Sequence, residues 1–180
     1  AMVGRLEETT YALAAMGIGV LATWALVSFF SSLATGTHVI VARRFGQANY
    51  LECGNTLNNS LIISFSIGIV VTIIGDYFAS TIANFFASDD LVAKYAADYL
   101  FFRFLGIPFF LISVSFRGFF FGIGKTKIFM ISGIFTNFFN IIFNYIFIYG
   151  EFGMPRMGLA GAGLGSTLAT FIDVMFYLII

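Results

Sequence analysis

Asn137, Asn140 and Asn144 lie at i, i+3 and i+7, and Gly133 extends the row at i−4. On an α-helix these positions share one face. An amide both donates and accepts hydrogen bonds, so such a face can hold a cation's waters, bind a substrate or join another helix. Further along, Gly163, Ser166, Thr167, Thr170 and Asp173 form a second polar stripe. Next to it Gly161 and Gly165, continued by Gly158, form a small-residue row that admits a close backbone. Asp173 is a carboxylate in an apolar run, which marks either a functional charge or a group that reaches water or pairs, with Arg117 as the natural partner. Ser28, Ser31, Ser32 and Thr35 share a face that could line a polar path, although small hydroxyls more often bond to their own backbone. His38 and Cys53 are the single histidine and single cysteine, which excludes a disulfide within the chain, a cysteine zinc site and most triads. Gly124-Lys125-Thr126 imitates the end of a phosphate loop, but Phe119 stands where that loop needs glycine, so we read a basic turn.

The elements that position these residues follow from composition. The chain has 180 residues, 59% of them hydrophobic and 10% charged, with no net charge and a mean hydropathy of +0.96. A soluble domain carries about 25% charged residues. This composition excludes a soluble enzyme, a disordered regulator and a nucleic-acid-binding domain. A bilayer core needs about 20 apolar residues per helix. Five stretches qualify, at residues 11–41, 57–78, 99–121, 128–149 and 158–180. Their near-continuous apolarity predicts helices rather than the alternation of a barrel. Pro108 predicts a kink in the third span. Residues 80–97 suggest a short interfacial helix before it. Asp98 and Arg103 flank its outer start as an ion pair or a snorkelling group. Loop charges alternate, placing Arg43 and Arg44, then Lys125 and Lys127, in the cytoplasm. The opening AMVGRLEETT has no apolar signal-like stretch. We expect residues 1–180 to be one transmembrane bundle, cut at both ends from a longer chain, with a helix preceding it.

Four stretches carry a resemblance: ARRFGQ (42–47), FRGFFFGIGKTK (116–127), NIIFNYIFIYG (140–150) and GMPRMGLAGAGLGSTLA (153–169). In their order and spacing the sequence resembles the MATE family of multidrug and toxic compound extrusion transporters, over essentially its whole length. The resemblance implies an all-α polytopic membrane bundle with about five transmembrane helices, equivalent to helices two to six of the N-terminal lobe. Family members resemble one another in having twelve helices in two lobes around a central cavity. They exchange Na+ or H+ for organic, often cationic, substrates. In some prokaryotic members the N-lobe cation site uses a first-helix Asp, an Asn and an Asp one turn apart in helix five, and a helix-six Thr. Asn140 matches that Asn, Asn144 stands where those members have Asp, and Thr167 matches the Thr. An amide takes up no proton at physiological pH, whereas its carbonyl can still ligate Na+.

The sequence therefore reads as a multi-pass protein of the cell (inner or plasma) membrane. The resemblance implies a transporter rather than an enzyme, with secondary-active multidrug efflux by alternating access as the expected activity. Its cavity residues are Asn137, Asn140, Asn144 and Thr167, with Asp173 and Ser166 behind them. No cofactor is implied beyond the coupling ion, Na+ or H+. The partners are small organic drug-like substrates, membrane lipids and the remaining lobe, with no nucleic acid. The alternative is a flippase for lipid-linked oligosaccharide or peptidoglycan precursors, whose pyrophosphate calls for cationic side chains in the cavity.

Overall fold

A computed structural model describes residues 2–5 and 9–180. Seven α-helices form the body: α1 Thr9–Phe30, α2 Ser32–Gly46, α3 Tyr50–Phe86, α4 Asp90–Leu105, α5 Ile107–Gly122, α6 Thr126–Tyr149 and α7 Gly158–Ile179. One of the five spans is a broken helix, and another, α1/α2, runs on from Thr9 to Gly46 with a one-residue interruption. The α1/α2 break falls at Ser31, where the Ser31 and Ser32 hydroxyls donate to the carbonyls of Ser28 (2.8 Å) and Phe29 (2.9 Å). Ser31 and Ser32 of the serine face thus back-bond, and such bonds compete with the helix ladder, while Ser32 also borders a groove between α2 and α3.

The broken span is α4/α5, bent by 46° at Gly106. Pro108 has no N–H to offer the Phe104 carbonyl, and Thr72 of α3 donates to that carbonyl instead, at 2.7 Å. The Gly106 N–H bonds back only three residues, to Arg103. This leaves the Phe102 carbonyl to Thr167 of α7, which donates to it at 2.6 Å. The kink thus frees two carbonyls, and hydroxyls from two other spans satisfy them.

The anticipated interfacial helix at 80–97 is absent. Helix α3 runs unbroken to Phe86, and α4 starts at Asp90 after Asp89 caps it by accepting the Leu91 N–H at 2.8 Å. Aspartate after a serine is a strong start signal, and it outweighs the weak apolar pattern read across it.

At one end of the bundle the Cys53 thiol reaches the Val41 carbonyl (3.7 Å), and Gly122 abuts Val41 and Ala42. The basic ends at Arg43/Arg44 and Lys125/Lys127 therefore lie together. At the opposite end Val3, Ala83, Val92, Ile148 and Leu159 form one cluster. The interior between helices is partly polar. Thr37, Ser60, Ser115 and Ser64 form a buried hydroxyl chain of 2.7–2.8 Å links joining α2, α3 and α5. Large apolar side chains such as Trp24, Tyr77 and Phe85 point outward, as lipid requires.

Candidate functional site

Helices α6 and α7 pack closely because α7 has no side chain at the crossing. A Cβ built on Gly161 would lie 2.5 Å from the Phe147 carbonyl oxygen, and one on Gly165 would lie 2.5 Å from Asn144 Oδ1. The GxxxG row is thus the α7 side of this seam. Gly158 does not continue it; it opens α7 with a φ of +56°.

Along the seam the Asn144 amide N–H donates to Asn140 Oδ1 (2.9 Å), and the Asn140 amide N–H donates to Ser166 Oγ (3.2 Å). Asn144 Oδ1 is buried and accepts no hydrogen bond. Asn137 lies elsewhere: it is exposed and donates to its own helix at the Gly133 carbonyl, 2.9 Å. Thr167, engaged with α4, is also apart from the amide row. The structure therefore joins Asn140, Asn144 and Ser166, and leaves out Asn137 and Thr167. The row of α6 that meets α7 is Ser132, Thr136, Asn140 and Asn144, in steps of four. The row of steps through Gly133 and Asn137 faces outward.

Asp173 lies farther along the same seam and is 8% exposed. Thr136 of α6 donates to its Oδ1 at 2.8 Å, and Ser113 of α5 donates to its Oδ2. The anticipated ion pair with Arg117 is not formed: that guanidinium lies over the Phe129 ring, 5.5 Å from its centroid. Two hydroxyls from neighbouring helices reach the carboxylate directly, one on each oxygen, and Thr136 shares its proton with the Ser132 carbonyl, also at 2.8 Å. Asp173, Arg117, Ser113, Thr136 and Thr170 all border one cavity of about 230 Å³. Next to it a smaller cavity of about 70 Å³ is lined by Thr23, Arg103, Thr167 and Thr170. Arg103 thus turns inward, with its Nε buried and unpartnered, instead of snorkelling or pairing with Asp98.

Sequence reasoning missed Ser113, Thr136 and Thr23, and placed Arg103 at the interface instead of beside a cavity. Thr136 was discoverable as part of the alternative α6 row. Ser113 and Thr23 are lone hydroxyls in apolar runs and give no signal. Lower in the seam Tyr177 stacks with Phe116 and Phe120 and shares a 2.7 Å hydrogen bond with Ser132. His38 packs edge-on against Phe121, a structural role. Gly124, with φ +74°, forms the turn between two helices, a context with no strand for a phosphate loop. A groove of about 390 Å³ between α2 and α3, lined by Thr37, Thr56, Asn59 and Ser60 among others, carries no charge.

This fold has counterparts among solved structures. A solved structure of MATE in complex with MaD3S superposes with a TM-score of 0.86 at 22% identity, covering 98% of this chain and 38% of that one. A solved inward-facing multidrug resistance MATE family transporter of the MOP superfamily gives a TM-score of 0.81 at 23% identity, over 93% of this chain and 37% of that one. In sequence the chain is 33% identical over 170 residues to a probable multidrug resistance protein NorM of Listeria innocua serovar 6a, which covers 94% of this chain and 37% of the relative. The chain therefore spans little more than a third of the relatives it matches. The model of the MatE family matches residues 1–146, a stretch that carries the α4/α5 break and the Asn140/Asn144 row. With the family's helical membrane fold present from end to end, this multi-pass membrane chain belongs to the MatE family.

Proposed function

We propose that the chain is the N-terminal-lobe part, equivalent to helices two to six, of a secondary-active exporter. The whole protein moves organic, often cationic, compounds out in exchange for Na+ or H+ by alternating access, and it is a transporter rather than an enzyme. The observation that carries this reading is the Asn140–Asn144–Ser166 seam, with the Asn144 carbonyl oxygen buried and free of any donor. A carbonyl oxygen in that condition is costly unless a cation, a water or a substrate donor meets it in some state of the cycle. A discontinuous span such as α4/α5, packed against α7, is a usual element of a transporter's midplane site. Relatives described as multidrug resistance proteins support the substrate class.

The flippase alternative is not favoured. Arg103 and Arg117 border separate small cavities, and Arg117 shares its own with Asp173, so no joint clamp for a pyrophosphate forms.

Inverted membrane vesicles containing the full-length protein test the proposal. A fluorescent organic cation should accumulate when a Na+ or a proton gradient is imposed, and the effective gradient identifies the coupling ion. No accumulation under either gradient, with folded protein present, overturns it.

A further inference from the structure

Asp173 is the one buried charged side chain among the described residues. The amide row of Asn140 and Asn144 contains no titratable group, so the carboxylate in this seam is a separate feature. Its oxygens take hydroxyls from two different helices, Ser113 on α5 and Thr136 on α6, and Thr170 of α7 borders the same cavity. At about 230 Å³ that cavity has room for several waters, each of which needs about 30 Å³. The charged and titratable groups around it are few. Helix α5 brings Arg117, α7 brings Tyr177 one turn on, and α6 contributes only hydroxyls and Phe129. From α4, Arg103 lines the adjoining cavity, which shares Phe110 and Thr170 with the first.

We propose that Asp173, with the hydroxyls of Ser113, Thr136 and Thr170, is a cation-exchange site that takes one monovalent cation, Na+ or a proton. An all-oxygen donor set with one carboxylate suits a hard monovalent cation. Each hydroxyl that donates to the carboxylate keeps lone pairs free for a cation, and a proton taken up forms one O–H bond on Asp173. Either way the carboxylate gains a single positive charge and no other bond is made or broken. Arg117 is a tethered rival for the same carboxylate. In this structure it lies over Phe129, which leaves the carboxylate open to a mobile cation. A cation held here acts as a coupling ion only through a difference in its affinity between conformations of the transporter. The role in coupling rests on the exporter reading, but cation binding itself does not.

The experiment uses the purified full-length protein without any drug. Equilibrium binding of radiolabelled Na+ reads one arm. The infrared difference spectrum between acid and alkaline buffer reads the other, through the carboxylic acid stretch. One arm should give a signal that Asp173→Asn loses, by about tenfold or more in affinity or amplitude, while Asp76→Asn retains it. The double variant Ser113→Ala/Thr136→Val keeps the carboxylate and should shift half-saturation severalfold. That variant decides the matter if Asp173→Asn does not fold. Wild-type behaviour in both variants, or no signal from the wild type in either arm, overturns the proposal. A signal at Asp173 in a protein that moves no organic cation would leave this site standing and refute the exporter reading.

Discussion

Asn144 contributes a donor to the seam and leaves its own carbonyl oxygen unpaired inside it. If the residue were interhelical glue alone, its removal would cost about 0.6–2 kcal/mol of stability and little transport. In matched-expression cells we expect Asn144→Ala to lower drug export severalfold. Asn59→Ala, in the uncharged α2/α3 groove, should stay near wild type. Equal export by the two variants would reduce Asn144 to a packing role. Gly165 constrains the same residue from the other side. Gly165→Ala places a methyl group 2.5 Å from Asn144 Oδ1, so the seam must open. We expect a loss of about 1–3 kcal/mol, read as a lower melting temperature in detergent, with Gly133→Ala near neutral because nothing lies near its added carbon.

At the scale of elements, the α4/α5 kink was legible from Pro108, but its consequences were not. A proline announces that one carbonyl loses its donor; which side chain replaces the donor depends on which helix packs there. Thr72 lies 32 positions before the carbonyl it serves, on the preceding span, and Thr167 lies 65 positions after its own, and only packing brings them in. This predicts a measurable dependence. Thr72→Val should cost about 1–3 kcal/mol in the parent by leaving the Phe104 carbonyl bare. The same substitution should cost much less in a Pro108→Ala background, where residue 108 regains its N–H. A double-mutant cycle on thermal stability gives the coupling, and additivity would show that the kink does not depend on Thr72. The polar stripe of α7 illustrates the same limit. Its members share a face in sequence, yet Ser166 meets α6, Thr167 meets α4, and Asp173 meets α5 and α6.

For the whole molecule, the two basic loops share one end of the bundle, as the alternation of loop charge requires. A cysteine placed at Lys125 should resist an impermeant thiol reagent applied outside intact cells, while one at Asp89 should react. Cys53 is buried, which keeps the background low. Labelling of position 125 from outside would invert the assigned orientation. The exposed apolar belt, including Trp24 and Tyr77, is consistent with a bundle whose solvent is lipid.

The sequence by itself determined the class, the five spans, the kink and the small-residue seam of α7. Each depends on local composition or on helical spacing, and a bilayer leaves the backbone almost no alternative to helices. The tertiary structure alone decided which polar face of α6 turns inward. Two rows, one through Asn137 and one through Thr136, both include Asn140 and Asn144, and helical spacing does not choose between them. Packing on Gly161 and Gly165 makes the choice, because α6 can approach α7 only where α7 has no side chains. The same packing brought Ser113 and Thr136 to Asp173 and kept Arg117 off it. A hydroxyl's partner in a membrane interior is set by which helix lies within hydrogen-bonding distance, and helix neighbours in space are not written in chain order.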